Sequence, residues 1–223
     1  MPFEDRQAVK VIFEFCKKLQ PDIIVADEWH DFYGISKFNR DPIRKLQLQD
    51  ELDSVRAYFE ILRSHCPNTR IIYLDSNHNK RLRKYLWSKA EELSSLRCLK
   101  LENLIGLGKY NIEYTDYFIY NGYLFKHGDM ARKWAGYTAR GEFEFEGMSG
   151  ASGHSHRLAQ FYRNLRGGKY TWIECGCVCR MDMEWMEGKI PDWMLGFGLV
   201  VFWGTHYRAM PIPIIDYKIH WVE

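Results

Sequence analysis

The chain has 223 residues, 46% of them apolar, which suffices for one sizeable core, and no shift in composition marks a boundary, so a single domain over residues 1–223 is expected. A net charge of +2 is too small to argue for nucleic acid by itself, because duplex binding uses a concentrated basic face. No apolar run approaches the roughly 18 residues of a membrane span, and the charged amino end is unlike a signal peptide, so membrane and secretory classes are set aside and the cytoplasm is expected.

In chain order, apolar periodicity through Ala8, Val9, Ile12, Phe13 and Cys16 predicts a helix from Glu4 to Leu19, stopped by Pro21. Asp22 to Ala26 reads as a strand. Phe32 to Pro42, with Gly34, Ser36 and Asn39, reads as a long aromatic loop that suits a rim over a site. Leu52, Val55, Phe59 and Leu62 share one face of a helix predicted from Leu46 to His65, and Arg70 to Leu74 is the next strand. Helical segments follow over Lys80 to Glu92 and Leu96 to Leu104. Beyond residue 110 the pattern turns to strands, with Asn121-Gly122 a hairpin turn between Tyr117–Tyr120 and Tyr123–Lys126. Ala131 to Ala139 is a candidate helix. The tail alternates through Leu158–Tyr162, Lys169–Cys179, Leu195–Trp203 and Ile214–Val222, which predicts an antiparallel second sheet.

Several of these apolar runs end in metal-ligating residue types. Asp27 follows Ile23–Ala26, Asn77-His78 follows Ile71–Leu74, and His127-Gly128-Asp129 follows Tyr123–Phe125. Downstream stands Gly153-His154-Ser155-His156-Arg157, two histidines that can each present an imidazole to a metal. In α/β sheets, ligands bind outside the carboxyl ends of strands, so residues distant in sequence can share a site. Carboxylate, amide oxygen and imidazole suit a divalent transition ion such as Mn, Fe or Zn, and the chemistry suggested is hydrolytic.

The order Asp27, Asn77-His78, His127-Gly128-Asp129, Gly153-His154-Ser155-His156 resembles the calcineurin-like metallophosphoesterases over nearly the whole chain. Pro21 to Tyr33 is similar to that family's strand followed by Gly-Asp-x-x-x-Asp, with Ala26 in place of the glycine. Leu74 to Leu82 is similar to its Gly-Asn-His-Glu/Asp block, with Ser76 for the glycine and Asn79 for the acid. The family's opening Asp-x-His block has no counterpart. Met1 to Asp5 reads as the loop that would follow it, either because the sequence is a piece of a longer one or because full catalysis was lost. Loss of a central strand would leave backbone groups without partners, which favours the former. A displaced version in Asp27-Glu28-Trp29-His30 fits less well, its spacing being one residue too long.

The resemblance implies an α/β (α+β) fold, a two-sheet sandwich flanked by helices with its first strand missing. It implies a phosphate mono- or diesterase with two divalent ions, reduced to one if the first site stays incomplete. Asp27 would bridge the ions, Asn77, His127 and His154 would complete the second site, and His156 would bind the first. His78 would protonate the leaving oxygen or steady the phosphoryl group, and a bridging hydroxide would attack. Tyr33 and Arg157 flank the expected ligands and are candidates for substrate contact. A chain this short resembles compact bacterial or phage members of the family.

The remaining features have plainer readings. Of the six cysteines, the cluster Cys175, Cys177 and Cys179 suggests a metal or disulfide site, but alternation at spacing two is what one strand face gives, while Cys16, Cys66 and Cys98 lie in helix-like segments and read as core. Lys80-Arg81-Leu82-Arg83-Lys84 reads as a solvated helix face with Leu82, Tyr85 and Leu86 inward, or as a phosphate-contacting rim beside His78. Trp172, Trp185, Trp193, Trp203 and Trp221 read as packing residues, and His206 and His220 as structural or exposed. Two readings from other classes stand beside the enzyme: a non-catalytic metal-binding protein of the same fold, and a nucleic-acid-binding module using the aromatics and the Lys80–Lys84 cluster.

Overall fold

A computed structural model describes residues 3–38, 41, 43–44, 47–183 and 186–220. Trp185, Trp221, the proposed helix start at Leu46, Asn39 and Pro42 of the aromatic loop, and the end of the Ile214–Val222 segment lie outside the described residues. The chain is mixed α/β and folds as two compact units, Met1–Phe3 with Phe13–Asp116, and Glu4–Ile12 with Tyr117–Glu223. No helix among the described residues is long and apolar enough to cross a membrane.

The first unit holds the latter part of α1 (Arg6–Leu19), then β1 (Ile23–Asp27), α2 (Leu48–His65), β2 (Arg70–Leu74), α3 (Asn79–Lys89), α4 (Leu101–Ile105) and β3 (Ile112–Thr115). The strands form a parallel sheet in the order β1-β2-β3, with Asp27 opposite Leu74 and Leu74 opposite Thr115. Parallel neighbours require crossovers, and α2 makes the first of them. Central β2 is covered on both faces, so Ile71, Ile72 and Tyr73 are fully buried. Against them α2 turns its apolar stripe of Leu52, Val55, Phe59 and Leu62, as expected, and Trp29 stacks on Phe59 with ring centroids 4.4 Å apart. Arg63 holds the return from α2, donating to the carbonyls of Thr69 (2.7 Å), Tyr110 (2.9 Å) and Asn111 (3.0 Å).

Sequence expectation and structure part at several points here. The segment after α3 breaks into short 3-10 turns over Glu91–Ser95 and Arg97–Leu99 before α4. Cys98 is exposed there, whereas Cys66 is buried, and burial first and Cys66 second push the Cys16 thiol up to about 12. Tyr85 points outward, not into the core.

The second unit carries β4 (Tyr117–Tyr120), β5 (Tyr123–Lys126), α5 (Tyr137–Glu146), β6 (Gly150–Ser152), β7 (Leu158–Leu165), β8 (Gly168–Cys175), β9 (Gly196–Trp203) and β10 (His206–Pro213). Five strands form one sheet in the order β4-β5-β6-β8-β7, and β9 and β10 form a separate antiparallel hairpin. The tail strands pair antiparallel, β7 with β8 and β9 with β10, and the five-stranded sheet is mixed because β6 pairs in parallel with both β5 and β8. Strand alternation sorts the core onto two faces. Tyr123, Ala151 and Ile173 pack with Ala209, Val200 and Phe202 of the hairpin, while Leu124 and Trp172 pack with Ala139 and Phe143 of α5.

Helix α5 starts later than the predicted Ala131–Ala139. Gly136 (φ 84°) and Gly147 (φ 68°) bracket it in left-handed conformations. Its alternating Glu-Phe-Glu-Phe-Glu sequence conceals a helix whose buried side is Thr138, Ala139, Glu142 and Phe143. Strand β10 had no signal in the sequence because Pro211 and Pro213 argue against a strand, and a two-stranded hairpin tolerates them.

His30 is buried at 2% exposure, its Nδ1 3.1 Å from the Tyr73 hydroxyl, which in turn accepts the Trp29 amide. Burial first, and the nearby His78 second, push its pKa down to about 3. The unfolded imidazole titrates near 6.5, so below that pH the unfolded chain binds a proton that the folded chain refuses, and stability falls as pH drops toward 3. At about pH 5 the loss is about 2 kcal/mol relative to neutral pH. His30→Gln keeps a partner for Tyr73 and removes the titration; urea unfolding at neutral pH and near pH 5 should show the wild type losing that much more than the variant.

Candidate metal centre

In the second unit the sheet register itself brings two predicted ligands together. Lys126 of β5 stands opposite Ser152 of β6, so His127 and Gly153 leave parallel strands side by side, and the Gly153 amide donates to the His127 carbonyl at 3.0 Å. Gly128 passes close by with φ 94°, where a Cβ would come within 3.1 Å of Glu142 Oε1 and of the Ser152 side chain. His154 then turns back in a left-handed conformation, φ 53°, and His156 does the same at φ 59°. Left-handed backbone is uncommon for residues with a Cβ and persists where the surroundings enforce it. The result is that His154 Nδ1 lies 3.1 Å from Nε2 of the buried His127, the rings meeting edge to face.

The enforcement comes from Glu174 on β8, which is fully buried. Its Oε1 accepts the amides of Gly136 (2.9 Å) and Ala139 (2.8 Å), and its Oε2 accepts the hydroxyl of Ser155 at 2.8 Å. One carboxylate thus caps α5, satisfying amides with no partner in the helix, and fixes the residue between the two histidines. Arg157, a candidate for substrate contact, pairs with Asp192 (2.9 Å) and donates to the Arg132 carbonyl.

His156 faces a different set of groups. Its ring packs against Trp193 at 4.4 Å between centroids, and one of its ring nitrogens lies with the sulfurs of Cys177 and Cys179 in a cluster whose ligand atoms are all within 4.8 Å of one another. The expected strand face of three cysteines stops at Cys175. Hydrogen bonding from Cys179, opposed by burial and helped by His156, holds the Cys177 thiol down at about 7.

In the first unit, Asp27 ends β1 and Asn77 follows β2, both half-buried. Beyond Asp27 the chain turns through Glu28, φ 54°, and Phe32, φ 52°. The loop is clamped by Glu51, 2% exposed on α2, which accepts the amides of Asp31 (2.9 Å), Phe32 (2.6 Å) and Tyr33 (2.8 Å). Burial raises the Glu51 pKa and those three amides oppose the rise. Asp31, so placed, meets His78: the His78 Nδ1 is 2.9 Å from Asp31 and 3.4 Å from Glu28. Arg81, one turn along α3, lies 2.9 Å from His78 Nε2 and 2.8 Å from Asp31 Oδ2. Arginine offers only donors, so Nε2 accepts and the imidazole hydrogen is on Nδ1, directed to Asp31.

Two residues of the loop and turn have internal duties. Tyr33 is buried, and its hydroxyl accepts the Asp41 amide at 2.7 Å, which makes it a brace of the aromatic loop. Asn79, where the resembled family has an acid, is buried and ties the turn, donating to the Leu74 carbonyl at 3.0 Å and accepting from Ser76. Residue-type reasoning passed over Glu51 and Glu174, offered Arg81 only within the Lys80–Lys84 rim beside His78, and placed Cys177 and Cys179 apart from His156. Only Arg81 had a local signal, three residues after His78 at a helix start.

Replacing Glu174 with Ala would leave two amides and a hydroxyl without their acceptor in a dry site. That should lower stability by about 3–5 kcal/mol, read by urea unfolding, with Glu174→Gln losing less because its oxygen still accepts.

No family model matches the chain. It is 25% identical over 235 aligned positions to the Gene 54 protein of Mycobacterium phage D29, and 24% over 232 to the Gene 54 protein of Mycobacterium phage L5. Each match covers 96% of this chain and 90% of the relative, so the similarity runs through both units.

Proposed function

We propose that this chain is a metal-dependent phosphoesterase of calcineurin-like type that hydrolyses a phosphate mono- or diester with metal-activated water. The observation that carries the reading is the His127–His154 pair. Two ring nitrogens facing each other at 3.1 Å, one on a left-handed residue pinned through Ser155 and Glu174, are the arrangement a shared cation rewards. Asp27 and Asn77, which the sequence suggests as further ligands, respectively end and follow parallel strands in their own unit. Manganese, iron or zinc fits these donors. When bound, such an ion lowers the pKa of a coordinated water and offsets charge on a phosphoryl group.

The chain's own residues would divide the remaining work. Asp31 fixes the His78 tautomer, and Arg81 supplies a permanent cation beside it. If Arg81 turned to a phosphate oxygen, the His78 Nε2 would be freed and could donate to the leaving oxygen only after taking a proton from solvent, with Nδ1 still held by Asp31.

Hydrolysis of nitrophenyl phosphate monoester and diester with added Mn tests this, with metal content measured alongside. Metal-dependent turnover is expected, falling on the order of a hundredfold or more in His154→Ala, and Arg81→Met should raise KM more than it lowers kcat. Bound metal without hydrolysis of either ester would overturn the enzyme and support the non-catalytic reading of the same fold.

A further inference from the structure

The three cysteines of the 175–179 segment do not share one fate. Gly176 adopts φ 71°, and a Cβ there would come within 2.8 Å of the Met194 carbonyl, so β8 stops and the chain turns after Cys175. Cys177 then bridges to Leu195 and Cys179 to Glu4. The Cys177 amide donates to Met194 at 3.0 Å, its carbonyl accepts from Gly196 at 3.0 Å, and the Asp5 amide donates to the Val178 carbonyl at 2.8 Å. Backbone pairing therefore holds both cysteines in place. On the opposite side the Met194 amide donates to the His156 carbonyl at 3.1 Å, and Trp193 covers the imidazole.

We propose that His156, Cys177 and Cys179 form a thiophilic metal site that takes zinc in preference to manganese, with a fourth position left for water or another oxygen ligand. A tetrahedral zinc site sets its ligand atoms roughly 3.5–4 Å apart, from Zn–S near 2.3 Å and Zn–N near 2.0 Å. The observed cluster, within 4.8 Å on every side, reaches that by small side-chain rotations while the backbone stays fixed. Nitrogen and two thiolates are a softer set than carboxylate and imidazole, which selects zinc over the harder manganese. Half-burial of all three residues leaves a path for the ion and shelters the thiolates. The Cys-x-Cys spacing serves here because the turn at Gly176 moves Cys177 and Cys179 off the strand. This site stands whether or not the chain is a phosphoesterase.

The test uses the full chain, reduced, stripped by chelator and reloaded without oxygen. Cobalt should give a thiolate-to-cobalt charge-transfer band in the near ultraviolet, lost in Cys177→Ser and in Cys179→Ser and retained in His154→Ala. X-ray absorption of the zinc-loaded wild type should show a sulfur shell at about 2.3 Å, a measurement that does not depend on any variant folding. A zinc shell of nitrogen and oxygen alone, or a cobalt band undiminished in folded Cys177→Ser, would overturn the proposal.

Discussion

Backbone amides exposed by the sharp turns after strands must find acceptors where water is scarce, and this chain meets that need with buried glutamates. Glu51 takes three consecutive amides of the loop after β1, and Glu174 takes two amides at the start of α5 together with the Ser155 hydroxyl. Each substitutes backbone dipoles for solvent, which works only while the turn keeps its shape, so the glutamate and the turn stabilise one another.

That mutual dependence is what allows strained conformations to persist. Left-handed Glu28 precedes the Glu51 clamp and left-handed Phe32 lies within it, and left-handed His154 and His156 flank Ser155. A residue with a Cβ gives up stability in this region and holds it when neighbouring bonds over-determine the geometry. In both units the consequence is a polar side chain aimed by a turn: Asp31 onto His78, and His154 onto His127.

The parallel registers add the second ingredient. Asp27 opposite Leu74, and Lys126 opposite Ser152, mean that residues just past these strands emerge level with one another. Glycine at 128 and 150 keeps the strands close; a Cβ on Gly150 would fall 2.6 Å from the Leu124 carbonyl. Close strands and fixed turns convert chain positions far apart in sequence into neighbouring donors. Hydrolytic chemistry, thiolate chemistry or both can be built on such neighbours, and the donor types decide which ions each cluster favours.

Much of the chain was legible as sequence because its signals are local. The runs Arg70–Leu74, Tyr117–Tyr120 and Tyr123–Lys126 became strands with those bounds, and the stripe Leu52, Val55, Phe59, Leu62 became the buried face of α2, since alternation and helical period are properties of a few neighbouring residues. His127 and His154 could be paired on paper only through the resemblance, since Ser149–Gly153 before His154 carries no strand signal. Tertiary structure alone decided the rest. A glutamate on an apolar stripe, such as Glu51 one turn before Val55, reads as surface until the loop it clamps is in place. The Glu-Phe alternation of α5 hides its helical period until a sheet is there for Ala139 and Phe143 to cover. Cys177 and Cys179 read as a strand face until the turn at Gly176 sets them beside His156. In each case the deciding contact lies far away in sequence, and its energy exists only once the fold has removed the competing water.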